Sequence, residues 1–169
     1  DLRLSPQLLE GLQSSGFISP SPVQMQGIPL GRLGVDLVAQ AKSGTGKTIV
    51  FCVVALELVL AMGQESGKVS ALILAPTRDI AAQTQAVLER LAAGFDLRPS
   101  VGLFIGGTSV REDERVIREQ MPCIAVGTPG RVDDLICRGV LDVSALKLLV
   151  LDEADRLLDG TFGGSVPAI

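Results

Sequence analysis

The sequence predicts an α/β domain built on a parallel β-sheet with helices packed against it. Short apolar runs alternate with amphipathic or charged stretches of helical length along the chain. That order is what βαβ units with right-handed crossovers produce. The apolar runs, Val69-Ser70-Ala71-Leu72-Ile73-Leu74-Ala75 above all, are continuous where a half-exposed strand would alternate; strands covered on both faces read this way. A glycine-rich turn, Ala41-Lys42-Ser43-Gly44-Thr45-Gly46-Lys47-Thr48, stands between one such run and a long apolar stretch.

The elements follow in order. Ser5-Pro6 starts a helix, with Ser at the N-cap and Pro at the first helical position; Leu8, Leu9 and Leu12 share a face and Gly16 ends it. Two prolines, Pro20 and Pro22, hold the next segment extended before a helix that runs to about Leu33. Val35 to Ala39 reads as a short buried strand, and Ile49 to Leu60, apolar on nearly every side, as a buried helix. After a polar turn, Val69 to Ala75 is a strand. Pro76-Thr77-Arg78 opens a helix with Ile80, Thr84, Val87, Leu88 and Leu91 on one face. Val101 to Ile105 is the third strand and Arg111 to Glu119, alternating in sign, an exposed helix. Cys123 to Val126 is the fourth strand, followed by a helix striped with Val132, Leu135 and Ile136. Leu146 to Leu151 is the fifth, running into Asp152-Glu153-Ala154-Asp155. By these boundaries residues 1–33 form a helical region and 34–169 the α/β part.

Composition narrows the chemistry. The 169 residues are 47% hydrophobic, enough for one ample core. No uninterrupted apolar run reaches the roughly 18 residues that suggest a spanning helix, so no membrane partner is expected. The N-terminal residues lack the basic-then-apolar layout of a secretory signal. Cys52, Cys123 and Cys137, each in an apolar run, read as buried thiols in a reducing compartment. The absence of histidine excludes Ser-His catalysis and histidine-ligated metal within these residues. A net charge of −4 argues against a broad basic surface, so nucleic acid would have to be met by a local patch or by backbone N–H groups.

The glycine-rich turn has the context of a phosphate-binding loop. Gly44 and Gly46 allow a tight turn, and the N–H groups of the turn and of the following helix favour an anion. Lys47 would reach the β- and γ-phosphates and Thr48 would hold Mg²⁺. Ligands of parallel sheets bind at the carboxyl ends of the strands. Thr77 and Arg78, Gly106 and Gly107, Thr128 to Arg131, and Asp152 and Glu153 all fall at such ends. A strand ending in two carboxylates suits a Mg²⁺-nucleotide site: Asp152 for the metal, Glu153 for the attacking water.

Six motifs now resemble, in order, those of the DEAD-box RNA helicases. Gly16 to Gln24 resembles the Q motif and Ala41 to Thr48 motif I, in which alanine is the usual first residue. Ala75 to Gln83 resembles motif Ia, Gly106-Gly107 the glycine doublet, Thr128-Pro129-Gly130-Arg131 motif Ib, and Asp152 to Asp155 the motif that names the family. The resemblance implies a RecA-like P-loop NTPase domain using ATP and Mg²⁺. ATP-binding residues would be Phe17, stacking on adenine, Ser19, Gln24, reading its edge, and Ser43, Gly44, Thr45, Gly46, Lys47 and Thr48. Catalytic residues would be Lys47, Asp152 and Glu153, with Thr48 and Asp152 at the metal. Thr77, Arg78, Gly107, Thr128 and Arg131 would contact the backbone of RNA.

Ser19 stands where many members carry a basic residue, and Asp79 where motif Ia usually has glutamate. The family's Ser-Ala-Thr strand and second RecA-like domain with its arginine finger do not occur within these residues. The implied domain is partial, its sheet short of a central strand and its ATPase inactive alone. Ile28 to Arg32, Gln40 to Ser43 and Val126 to Arg131 resemble the branch of the family found in the survival-of-motor-neuron complex. That implies ribonucleoprotein-assembly proteins as partners, in cytoplasm and nucleus.

Overall fold

The structure, a computed structural model, describes residues 2–42, 44–62 and 68–159. The chain divides into two compact units, residues 1–63 with 87–99, and 64–86 with 100–169.

The first unit holds α1 (Pro6–Ser14), α2 (Pro22–Arg32) and α3 (Lys47–Met62), together with the end of α4 (Arg78–Leu91) and a single 3₁₀ turn, Ala92–Gly94. Pro6 occupies the first position of α1 as expected. The Ser5 N–H donates to Glu57 Oε1 of α3 (2.8 Å), and the other Glu57 oxygen pairs with Arg32 of α2 (3.0 Å). Arg32 Nη1 also donates to the Leu2 and Arg3 carbonyls. One carboxylate and one guanidinium thus tie the N-terminal segment to two helices. In α3, Ile49, Val50, Cys52, Val53, Val54, Ala55, Leu56 and Val59 are buried, so the apolar stretch is core on most of its circumference.

The expected strand at Val35–Ala39 is not formed. Residues 35–41 have no regular secondary structure, and Val35, Leu37 and Val38 are exposed, Val38 fully at 103%. A strand is stabilised by a neighbour that takes its N–H and C=O groups. Here the Val35 N–H bonds to the Leu30 carbonyl at the end of α2, and no ladder forms among the described residues.

The second unit is a four-stranded parallel sheet in the order β2-β3-β1-β4, with β1 Ala71–Leu74, β2 Val101–Phe104, β3 Ile124–Gly127 and β4 Leu148–Leu151. Every residue of the central strands β1 and β3 is buried, which explains their unbroken apolar sequence. The edge strand β4 is only partly covered, with Leu149 45% exposed. Helices α5 (Val110–Gln120), α6 (Pro129–Cys137) and the short α7 (Ala154–Leu157) complete the unit. Leu72, Leu74, Phe104, Ala125, Val132, Leu135 and Leu157 pack as one core, with Val116 and Ile117 of α5 against it. The first residues of α4 lead directly from β1.

Two side-chain expectations change. Cys52 and Cys123 are buried, but Cys137 is exposed. It is the last residue of α6, and the chain turns at Gly139 without covering it. Helix α5 shows its charges to solvent with one exception, Asp113, which is buried. No helix among the described residues is long and apolar enough to cross a membrane.

Candidate functional site

In the first unit the glycine-rich turn leads into α3, whose first two residues are Lys47 and Thr48, both half-buried. Gly44 and Gly46 have φ of +79° and +92°, the left-handed region that favours glycine. The Lys47 ammonium is held by the loop's own carbonyls, donating to Ala41 O and to Lys42 O. Thr45 Oγ1 also donates to Lys42 O (2.7 Å). The loop is therefore wrapped around its lysine. Ser43 lies outside the described residues.

Gln24 touches the same loop. Its Oε1 accepts the Ser21 N–H (2.8 Å) across the first turn of α2, and its Nε2 donates to the Gly46 carbonyl (3.2 Å). A Cβ on Gly46 would stand 2.3 Å from that Nε2, so the approach requires glycine. A glutamine amide has two donor hydrogens and two acceptor lone pairs. One of each is used here and one of each remains. Phe17 is half-buried and Ser19 exposed.

In the second unit the carboxyl ends of β1, β2 and β3 open into a shallow cleft of about 600 Å³. Pro76, Thr77 and Arg78 line it after β1, Gly106 after β2, and Thr128, Gly130 and Arg131 after β3. Thr77 directly precedes α4, its Oγ1 accepting the Ile80 N–H (3.3 Å), and Thr128 stands at the N-cap position of α6 without a side-chain capping bond. Two helix N-termini thus reach one cleft, which favours an anionic ligand. The exposed Arg78 adds a cation. Its guanidinium lies over the glycine doublet: a Cβ on Gly107, whose φ is +101°, would meet Arg78 Nη1 at 2.6 Å. Asp134 supplies the acidic rim and is paired with Arg138 (2.6 Å).

Arg131 is placed at this cleft but is turned inward. Its Nη1 is bonded to Asp113 and to Thr108 Oγ1 (3.1 Å), and its Nη2 donates to the Thr108 carbonyl (2.7 Å). The two partners of the pair have side-chain exposures of only 12% and 5%. Asp113 is a residue that the sequence reading placed on an exposed helix. The signal that could have found it is the position facing Val116 and Ile117 in the apolar stripe.

Asp152 and Glu153 end β4, next to β1. The Asp152 N–H donates to the Leu74 carbonyl (2.9 Å), and Asp152 Oδ1 accepts the Glu153 N–H (3.0 Å). Glu153 has a φ of +51°, a left-handed conformation uncommon for a residue with a side chain, and its carboxylate pairs with Arg156 (3.0 Å). Such conformations concentrate at functional positions. The Asp152 carboxylate is a hard oxygen donor of the kind that suits Mg²⁺. No cluster of three or more metal-ligating side chains occurs among the described residues.

The comparisons agree with this architecture. The family model for DEAD/DEAH box helicases matches residues 21–169, and the chain belongs to that family. It is 46% identical over 164 residues to the mouse (Mus musculus) protein named probable ATP-dependent RNA helicase DDX20, covering 95% of this chain and 19% of that protein. It is 44% identical to eukaryotic initiation factor 4A of Caenorhabditis elegans, covering 96% of this chain and 39% of that one. The crystal structure of a DEAD box protein from the hyperthermophile Methanococcus jannaschii superposes with a TM-score of 0.87 at 33% identity, over 99% of this chain and 44% of that one. The chain therefore spans less than half the length of each of these relatives. The fold is the RecA-like α/β domain, here with four parallel strands.

Proposed function

We propose that the full-length protein is an ATP-dependent RNA helicase, in which this chain supplies the ATP-binding loop and one RNA-binding cleft. The observation that carries the reading is the cleft at the strand ends, where two helix N-termini, a glycine doublet and Arg78 meet. Such a site suits a phosphodiester backbone and reads no base.

In this reading Phe17, Ser19 and Gln24 hold adenine, and Ser43 to Thr48 hold the phosphates. Mg²⁺ would be held by Thr48 and Asp152, partly through water, and would neutralise charge on the phosphates. Glu153 would orient and deprotonate the attacking water. Thr77, Arg78, Gly107 and Thr128 form the RNA side, with Arg131 bonded behind them to Asp113 and Thr108. The names of the relatives, ATP-dependent RNA helicases among them, support the assignment. The branch resemblance supports a finer proposal: the protein remodels ribonucleoprotein in spliceosomal particle assembly, with the survival-of-motor-neuron complex as partner, in cytoplasm and nucleus.

Phosphate release by the full-length protein, with and without single-stranded RNA, tests the activity. RNA should stimulate it. Lys47→Ala should impair binding and turnover together. Glu153→Gln should retain ATP while slowing turnover by about 10² or more. A single-turnover rate in Glu153→Gln equal to wild type would remove Glu153 from the chemistry. Co-elution of the full-length protein with the purified survival-of-motor-neuron complex tests the partner, and separate elution would reject it.

A further inference from the structure

Among the described residues Asp113 is the one buried carboxylate, on a helix whose other charges meet water. It faces Arg131, the last residue of the Thr-Pro-Gly-Arg turn. The guanidinium in turn grips Thr108 twice, at its hydroxyl and at its carbonyl. Thr108 directly follows the glycine doublet. The chain Asp113–Arg131–Thr108 therefore joins the loop after β2 to the N-terminus of α6, two walls of the same cleft. With its Nη atoms engaged and its charge matched by a buried carboxylate, Arg131 is poorly placed to serve a phosphate.

We propose that Asp113 is a positioning residue for RNA binding: through Arg131 it fixes the spacing between the glycine-doublet loop and the start of α6. This rests on the RNA reading of the cleft above. The backbone N–H groups of the two walls make the contact with RNA, and the ion pair behind them keeps those groups in register with successive phosphates. Arg131 then contributes by holding the protein in shape, whereas Arg78 contributes charge.

The two roles differ in salt dependence. A side chain that neutralises a phosphate of a single strand adds about 0.7 to the slope of log affinity against log salt, and a strut adds nothing. The test uses the full-length protein with a non-hydrolysable ATP analogue and a labelled oligouridylate. Fluorescence anisotropy is recorded over a range of salt. Asp113→Asn should weaken binding about tenfold, within the range for residues sharing one network, with the slope unchanged. Arg131→Ala should do the same, and the double variant should bind no more weakly than Arg131→Ala. In RNA-stimulated phosphate release, Asp113→Asn should raise the half-saturating RNA concentration about tenfold while the rate at saturating RNA changes less than twofold.

Wild-type RNA affinity in Asp113→Asn, additive losses in the double variant, or a slope lowered by about 0.7 in Arg131→Ala would each overturn the proposal. Should thermal unfolding show that Asp113→Asn does not fold, Arg131→Lys replaces it: the charge is kept but the fork to Asp113 and Thr108 is lost. Wild-type affinity in that variant overturns the proposal equally. Binding that responds to Arg78→Ala but not to Asp113→Asn rejects the strut alone. A wild-type protein that binds no RNA in any nucleotide state rejects the RNA reading and the strut with it.

Discussion

Replacing Gln24 by alanine should weaken every nucleotide, and ATP more than GTP. The side chain is 7% exposed and bridges the start of α2 to the phosphate loop through Ser21 N–H and Gly46 C=O. The Gly46 contact does not depend on the base. A neutral hydrogen bond of this kind contributes about 1 kcal/mol, so its loss should weaken ATP and GTP alike by roughly fivefold. The second part depends on the base. One amide hydrogen and one lone pair remain for the adenine edge; two such bonds at about 1–1.5 kcal/mol each amount to roughly 30- to 150-fold for ATP only. Titration of fluorescent ATP and GTP analogues into the full-length wild type and Gln24→Ala separates the parts. Equal losses would show that Gln24 braces the loop and reads no base. An unchanged GTP affinity would show that the Gly46 contact does not support the loop.

Gly107→Ala forces a side chain into a φ of +101° and pushes Arg78 off the doublet. RNA affinity in the full-length protein should fall about fivefold or more, given about 1–3 kcal/mol for such strain, and anisotropy would show it. The Cys137 thiol sits above its ordinary pKa because Asp133 accepts its hydrogen bond and repels the thiolate. Asp133→Asn should lower that pKa and speed alkylation at pH 7.5 several-fold; an unchanged rate would discount the contact. Hydrogen exchange of residues 1–169 should be slowest in β1 and β3, paired on both sides, and fast over residues 35–41; slow exchange there would mean that a strand forms. Thermal stability of the same segment should be flat from about pH 6 to 8, since it contains no histidine. Ser144 lowers the Asp142 pKa, so that contribution is present above the unfolded value and is lost as pH falls through the folded one. A midpoint of unfolding that moved between pH 6 and 8 would require another titrating group.

The sheet was legible because its central strands are buried on both faces, and burial on both faces leaves a mark on every residue. Ala71–Leu74 and Ile124–Gly127 need apolar side chains throughout, and they have them. The cleft was legible because parallel strands bring their carboxyl ends to one side, whatever the sequence between them. Thr77, Arg78, Gly106, Thr128 and Arg131 followed from position alone. The direction in which Arg131 points did not. Arg131 chooses its partner from helix α5, and the pairing with Asp113 spans a sequence separation of 18 residues. A run of alternating charges reads as solvated because most of its members are; the one carboxylate turned inward is a matter of helix rotation and not of composition.

Val35–Ala39 shows the complementary limit. Its apolar residues are those of a buried strand, and its place before a phosphate loop is a strand's place. Yet strand structure is a relation between two segments, and propensity describes only one of them. Among the described residues the segment joins no ladder: the Val35 N–H bonds to the Leu30 carbonyl at the end of α2, and Val35, Leu37 and Val38 lie exposed. The glycine loop that follows still adopts left-handed turns at Gly44 and Gly46 and still begins α3 at Lys47. Those features come from residues within the loop itself. The glycine-rich loop thus takes its geometry from its own residues, while residues 35–39, which join no ladder among the described residues, form no strand.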